Sequence, residues 1–471
     1  MQVPIAGCCL YHRRMAYHVL KASIPILVKG RNRSQGPGSW AAKLRYCVGA
    51  AVTLKRNLTL QSNMETSKHK GVDGEASAVT LFREYLRIKT VHPDPDYDAA
   101  VVFLNRVAKE IGLEFHCVEV HPRKPVVVLK WKGTDETLPT ILLNSHTDVV
   151  PVYQEFWKYD PFAAVKEENG DIYARGTQDM KSVGIQYLEA IRRLEAEGKS
   201  FPRTIYLSFM PDEEVGGKLG MQKFLESQDF KDMNVGFGLD EGLANPTEEF
   251  KVYYGQRSTW WLKITCPGNP GHGSRFIENI AVEKVQKIVN QIMEYRNSEK
   301  SRLEKGSCLH LGDVTTCNIN LIQGGGMQLN VVPSEFIVGV DIRISHDNEL
   351  KDFEERIQTW VRNAGSDVTY EFVQKSDSEE VTSTETGNPW WEAFSQACTK
   401  MNMKIDKEVF PAGTDSRYLR KIGTPCLGFS PMNNTPILLH DNNEFLNENI
   451  FLKGIDIYYE IISSLARVPK M

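Results

Sequence analysis

The period of apolar and polar positions changes several times along the chain. From Ser77 to Ile88 apolar residues recur at helical spacing, and the segment HPDPDY at 92–97 breaks the run. A second helical pattern covers roughly Ala99 to Ile111. Continuous apolar runs follow at 125–133 (PVVVLKWKG) and 140–146 (TILLNSH), with a shorter one at 171–176 (DIYARG). These runs read as apolar strands, with Ile141, Leu142 and Leu143 as a buried one. A helix is predicted from Met180 to about Glu197, then strands at 204–210 and 235–242 with a helix between them. Strands alternating with helices predict an α/β domain with a largely parallel sheet.

Between 257 and 375 the rhythm differs. Strand, helix, two strands across a Gly-rich connection, helix and strand follow one another at 259–266, 281–303, 314–322, 335–344, 348–365 and 368–374. This β-α-β-β-α-β order is that of a ferredoxin-like α+β unit. The earlier pattern resumes at 388–401, 424–431 and 450–466. The expected organisation is therefore an α/β domain in two parts, 64–256 and 376–471, interrupted by an inserted domain at 257–375.

Composition changes this picture only at the N-terminus. With 471 residues, 41% hydrophobic and 25% charged, the chain has the makings of more than one folded core. Residues 1–63 hold ten Lys and Arg and no acid, leaving 46 basic against 60 acidic residues, a net of −14, for the rest. We expect 1–63 to lie outside the folded domains, with Met64 as the start; the alternative is a mitochondrial transit peptide. The acidic body gives no reason to expect nucleic acid as a partner. No apolar run approaches bilayer length, so no membrane partner is expected either. Nine scattered cysteines without a C-x-x-C pair fit a reducing compartment, the cytoplasm.

Acids and histidines gather at the ends of the predicted strands. His146 and Asp148 follow TILLNSH, and Asp179 follows DIYARG. Asp212, Glu213 and Glu214 follow the strand at 204–210, and Asp240 and Glu241 end the strand at 235–242. His440 follows the strand at 424–431 after a short loop. In a parallel sheet the carboxyl ends share one edge, so these residues would meet in one crevice. Taken singly each has an ordinary explanation: a capped turn for His146 and Asp148, an N-cap for Asp179, solvated helix-start charge for Glu213 and Glu214, a structural imidazole for His440. Crowded carboxylates repel one another, and a cation resolves the conflict. A mixed His and carboxylate set suits zinc.

The motifs SHTDVVP, ARGTQDMK, PDEEVGG, LDEG and LLHD, in this order, resemble the M20 family of dinuclear zinc metallopeptidases and amidohydrolases. Within it the resemblance is strongest to amidohydrolases acting on N-acyl-L-amino acids. It implies a zinc-binding catalytic domain with an inserted lid and dimerisation domain, and two Zn2+ per subunit. It implies that His146 and Glu241 hold one ion, Glu214 and His440 the other, and that Asp179 bridges them. Glu213 would be the general base acting on a metal-bridging water, and Asp148 would hydrogen-bond His146 and set its tautomer. Sequence alone does not say which of Glu213 and Glu214 binds metal; the resemblance assigns it. In the lid, His272 would assist the oxyanion, from the partner subunit of a homodimer, while Asn330 and Arg343 would meet the substrate carboxylate. Thr414 and Arg417, in PAGTDSRY, are further substrate-binding candidates. Ser145 and Thr177 depart from the Gly and Ala of many members, at positions that supply no ligand. The other histidines, His310 and His346 among them, read as surface residues. The rival readings are a dipeptidase or carboxypeptidase on the same scaffold, and a catalytically silent binding protein.

Overall fold

A computed structural model of the chain describes residues 75–306, 309–325, 328–376 and 380–470. The basic segment 1–63 and Met64 lie outside the described residues. Strands β1 (Glu114–His121), β2 (Lys124–Trp131), β3 (Thr140–His146), β4 (Ile205–Met210), β5 (Val235–Asp240) and β6 (Phe250–Gln256) precede the insertion. The insertion contributes β7 (Ser258–Pro267), β8 (Thr316–Gly324), β9 (Glu335–Ile344) and β10 (Thr369–Lys375). Strands β11 (Ile405–Phe410) and β12 (Cys426–Phe429) return to the first domain.

The larger sheet has the order β1-β2-β4-β3-β5-β12-β6-β11. Its centre, β4, β3, β5 and β12, is parallel throughout. These strands read as unbroken apolar runs because helices cover both faces. Helices α1 (Ser77–Leu86), α2 (Tyr97–Ile111), α3 (Lys181–Ala196), α6 (Pro389–Lys400) and α7 (Glu448–Leu465) supply most of that cover. Ile141, Leu142 and Leu143 are fully buried, each contributing about 1.5–3 kcal/mol of transfer free energy. A polar ladder crosses the sheet just below its carboxyl edge. Ser208 Oγ donates to Asn144 Oδ1 at 2.6 Å, and Asn144 Nδ2 donates to Asp240 Oδ1 at 3.0 Å. These bonds satisfy polar groups that the buried strand ends would otherwise strand.

The inserted domain is a four-stranded antiparallel sheet, order β8-β9-β7-β10, with helices α4 (Ala281–Lys305) and α5 (Leu350–Ala364). This order is the one the β-α-β-β-α-β succession requires. Alternate residues of β7 (Trp260, Leu262, Ile264, Cys266) pack against Val285, Ile288 and Ile292 of α4 and Phe353, Ile357 and Trp360 of α5. At the junction, Arg257 donates to Pro411 O in the first domain at 2.7 and 3.0 Å and to Val314 O in the insertion at 3.1 Å.

Two expectations are corrected. The strand at Asp171–Tyr173 does not join the parallel sheet. It belongs to a separate three-stranded sheet, because it pairs with Phe445–Asn447 and Val165–Lys166. His310 and His346 are half-buried and not simply surface residues: His310 Nε2 lies 3.2 Å from Asp406 and 3.4 Å from Glu408, and His346 meets the edge of Tyr254. Strands β1, β6 and β11 have no counterpart in the apolar pattern; β1 and β11 are the outer strands of the sheet, where one flank is unpaired and polar residues are tolerated. Among the described residues no helix is long and apolar enough to cross a membrane.

Candidate metal centre

The parallel strands deliver their acids and imidazoles to one edge, as parallel geometry demands. His146 closes β3. Glu213 and Glu214 begin a 3-10 turn after β4, and Glu241 follows β5. Asp179 comes from outside the sheet, on the loop entering α3. It does not cap that helix: Met180 is the N-cap residue and no side chain caps it. Both Asp179 oxygens face imidazoles instead. Oδ1 lies 2.8 Å from His146 Nε2, and Oδ2 lies 3.1 Å from His440 Nε2. His146 Nε2 also faces Glu241 at 3.6 Å, and His440 Nε2 faces Glu214 at 3.0 Å. Two three-residue groups therefore share Asp179: His146, Asp179 and Glu241; and Asp179, Glu214 and His440. Within each, the donor atoms lie within 4.8 Å of one another.

The electrostatics of this cluster are strained. Burial pushes Glu241 and Glu213 well above the carboxylate range, and burial together with the charge of Asp179 lifts Glu214 to about 7. Burial opposes ionisation of Asp179 too, but His146 and His440 hold it well below its ordinary value. Hydrogen bonds to Asp179 and Glu214 raise His440 to about 10; burial works against His146, yet Glu241 and Asp179 lift it well above its ordinary value. Four carboxylates and two imidazoles thus compete for protons in a cluster that is buried at His146, Asp179 and Glu241 and open to solvent on the His440 side. Divalent cations relieve that competition, and the residues fit them. Glu214 Oε1 is buried with no hydrogen-bond partner, and the mixed nitrogen and oxygen donor set is one that zinc accepts.

The Asp148 side chain does not hold His146 in the way expected. His146 Nδ1 is 2.8 Å from the backbone carbonyl of Asp148 but 3.9 Å from its carboxylate. The carbonyl, an acceptor, thereby keeps the proton on Nδ1 and leaves Nε2 to face Asp179 and Glu241. The carboxylate turns elsewhere: Oδ1 accepts from Glu213 N at 3.2 Å and Oδ2 from Glu214 N at 3.1 Å.

The remaining candidates divide into two groups. Arg417 is drawn to the site. Its Nη2 donates to Gly216 O at 2.8 Å, its guanidinium stacks on Tyr418, and its charge acts on Glu213. Thr414 is buried, and its hydroxyl is committed to Ser416 Oγ at 2.5 Å, so it serves the loop. His272 and Asn330 come together on the inserted domain, where Gly271–His272 pairs with Val331–Val332 and Gly273 N donates to Asn330 O at 2.7 Å. Both residues are exposed, and the imidazole of His272 bonds to Ser274. Arg343 is held by Asp341 through Nε at 2.8 Å and Nη2 at 3.1 Å, and by Thr259 through Nη1.

Two functional neighbours escaped sequence reasoning. Asp415 is fully buried, has no hydrogen-bond partner for either oxygen, and is pushed up to about 8 by burial and by Asp240. Its Oδ1 would lie 2.5 Å from a Cβ at position 217, so Gly217 (φ +62°) is required there by space as well as by conformation. Glu444 is fully buried and holds the loop that carries Asp179. The signal available for both was an acid inside an otherwise apolar or loop segment, too common to single them out.

The family model for peptidase family M20/M25/M40 matches residues 142–464. The chain is 52% identical over 402 residues to aminoacylase-1 of Homo sapiens, covering 85% of this chain and 98% of the relative. It is 45% identical over 405 residues to aminoacylase-1 of Dictyostelium discoideum, covering 84% and 98%. Solved structures with the same fold include an M20 family metallo-carboxypeptidase from Sulfolobus solfataricus, with TM-score 0.64, 16% identity and coverage of 83% and 100%. A dinuclear metal binding peptidase from Bacillus subtilis matches with TM-score 0.58, 16% identity and coverage of 82% and 98%.

Proposed function

The chain belongs to peptidase family M20/M25/M40, and from that membership we propose that it is a metal-dependent amidohydrolase releasing free L-amino acids from N-acyl-L-amino acids. The observation that carries the reading is the division of Asp179 between two imidazole-carboxylate pairs, one with His146 and Glu241, the other with His440 and Glu214. These five residues would hold two divalent cations, which we take to be Zn2+. Cations held there supply a Lewis acid for the amide carbonyl and lower the pKa of a water.

The chain's own residues do the rest. Glu213 is the one carboxylate of the cluster outside both three-residue groups. Its burial gives it high proton affinity, which suits a base that takes a proton from the attacking water and delivers it to the leaving nitrogen. Arg417, beside Gly216, places positive charge near Glu213 and can orient a substrate carboxylate. We propose further that two copies pair through the inserted domain. Leu321 and Ile322 are about half exposed on β8, an outer strand whose far flank is unpaired in the subunit. In His272, Nδ1 accepts from Ser274 N at 3.2 Å, which leaves Nε2–H to donate to a developing oxyanion in a partner's site. The free thiols of Cys266, Cys317, Cys398 and Cys426 support placement in a reducing compartment, which we take to be the cytoplasm.

Glu213→Gln and Glu214→Gln test the assignment. The first is expected to abolish hydrolysis of N-acetyl-methionine while metal content stays at the wild-type value; the second is expected to lose metal as well. Equal metal loss in both variants would overturn the division of roles. Dipeptides assayed beside N-acetyl-methionine separate this reading from a dipeptidase or carboxypeptidase.

A further inference from the structure

We propose that His92 is a positioning residue for this reaction, holding the Asp148 carboxylate so that Glu213 and Glu214 diverge into their separate roles. The inference rests on the assignment of Glu213 and Glu214 made above. His92 lies in the linker between the first two helices, far in sequence from the cluster. Backbone pairing brings it there. Val91 bridges Val149 in parallel, Val149 N donates to Thr90 O at 2.9 Å, His92 N donates to Val149 O at 3.1 Å, and Thr90 Oγ1 donates to Thr147 O at 2.6 Å. The segment 90–92 thus runs as a short extra strand beside 147–149.

This pairing aims the imidazole at one carboxylate. His92 Nε2 lies 2.7 Å from Asp148 Oδ2, with the His92 side chain 10% exposed and that of Asp148 fully buried. An ionised carboxylate only accepts, so Nε2 carries the proton and donates. Asp148 then accepts from three donors: Glu213 N on Oδ1, Glu214 N and His92 Nε2 on Oδ2. Two successive amides bound by the two oxygens of one carboxylate lock the start of the turn, and with it the directions of both glutamate side chains. Asp212 offers a carboxylate oxygen within 4.8 Å of the same group, but its Oδ1 is engaged by Lys124 Nζ at 2.5 Å and Tyr97 OH at 3.2 Å, whereas the bond from His92 goes to Asp148. Without the His92 donor the buried Asp148 carboxylate loses its shortest hydrogen bond, and its grip on the turn loosens.

The test compares His92→Phe, which removes the donor, with His92→Gln, whose amide nitrogen can occupy the position of Nε2. Zinc retention by the full-length holoenzyme against a graded chelator is read beside kcat and KM. His92→Phe is expected to retain the more weakly held zinc about 10- to 100-fold less well and to lower kcat about tenfold or more, the range for loss of a group that orients ligands. KM should stay within about threefold, and His92→Gln should restore both zinc retention and kcat to within about threefold of wild type. Adding His92→Phe to Asp148→Asn should cost nothing further, because the imidazole acts through that carboxylate. Wild-type zinc retention and kcat in His92→Phe, impairment of His92→Gln equal to that of His92→Phe, or additive losses in the double variant would each overturn the proposal. If His92→Phe does not fold, His92→Gln decides alone: near-wild-type behaviour supports the donor role, and impairment overturns it. A wild-type enzyme that holds zinc but leaves N-acyl-L-amino acids intact would retire the substrate reading, while zinc retention in the variants would still decide the role of His92.

Discussion

Glu444→Gln is the perturbation whose cost follows most directly from the structure. Glu444 is fully buried and gathers donors from the segment that ends in Asp179. Oε2 accepts from Arg175 Nη1 at 2.7 Å and from Gly176 N at 3.1 Å; Oε1 accepts from Gln178 N at 2.6 Å and from Thr177 Oγ1 at 3.2 Å. Arg175 is itself 2% exposed and also donates to Asp441 O, next to His440. The amide has nearly the same shape, so no cavity opens. Its charge is gone, however, and its NH2 must face donors whichever way it is turned. Breaking a buried ion pair from one side costs about 3–5 kcal/mol, because the remaining charge keeps its desolvation penalty. At about 2 °C per kcal/mol for a large domain, Tm should fall by about 6–10 °C. The same change loosens both the Asp179 loop and the His440 loop, so metal content after dialysis against chelator should fall too. Calorimetry and metal analysis on one preparation give both numbers. A Tm within about 2 °C of wild type with full metal content would refute the reasoning, since it would mean that Arg175 and the loop amides find other acceptors at no cost.

Two further outcomes are expected. Glu75 is held below its ordinary pKa of 4.5 because Thr80, Lys166 and Arg83 together outweigh the opposing effect of burial. Its contribution is therefore complete above its unfolded pKa and is lost as pH falls through the depressed folded value, so the Tm gap between wild type and Glu75→Gln should be open at pH 7 and close on acidification below about 4; a gap that widens in acid would contradict the sign. If His272 serves the partner's site, mixing inactive His272→Asn and Glu213→Gln subunits should restore about a quarter of wild-type sites, since half of randomly paired dimers are mixed and each has one site with both groups intact. Silence from such mixtures, with heterodimers confirmed by differential tags, would rule that arrangement out.

Much of the architecture was written in local sequence because burial on both faces leaves no choice of residue type. The runs at 140–146 and 204–210 are apolar since water reaches neither side of a central parallel strand, and the first polar residues after them mark the sheet's edge. The inserted domain was equally legible, as its β-α-β-β-α-β succession admits few strand orders. The strands at 114–121 and 405–410 were not legible: each lies at an outer edge of the sheet, where alternating exposure removes the apolar signature.

The same contrast holds at the site. Sequence order alone brought His146, Glu214 and Glu241 to one edge, because strand polarity is a local property that every parallel neighbour shares. It could not say where a side chain turns once there. Asp148 stands two residues from His146 and looked like its partner, yet only its carbonyl serves the imidazole. Its carboxylate is claimed by the amides of Glu213 and Glu214 and by His92, which approach from 65, 66 and 56 residues away. Glu444 holds the Asp179 loop from 265 residues away. A hydrogen bond is satisfied by whichever donor the packed chain brings within 3 Å or so, and spacing along the sequence carries no record of that distance. The kinds of residue at this centre follow from their order along the chain; which oxygen meets which proton is settled only when the sheet, its helices and the loops between them have closed.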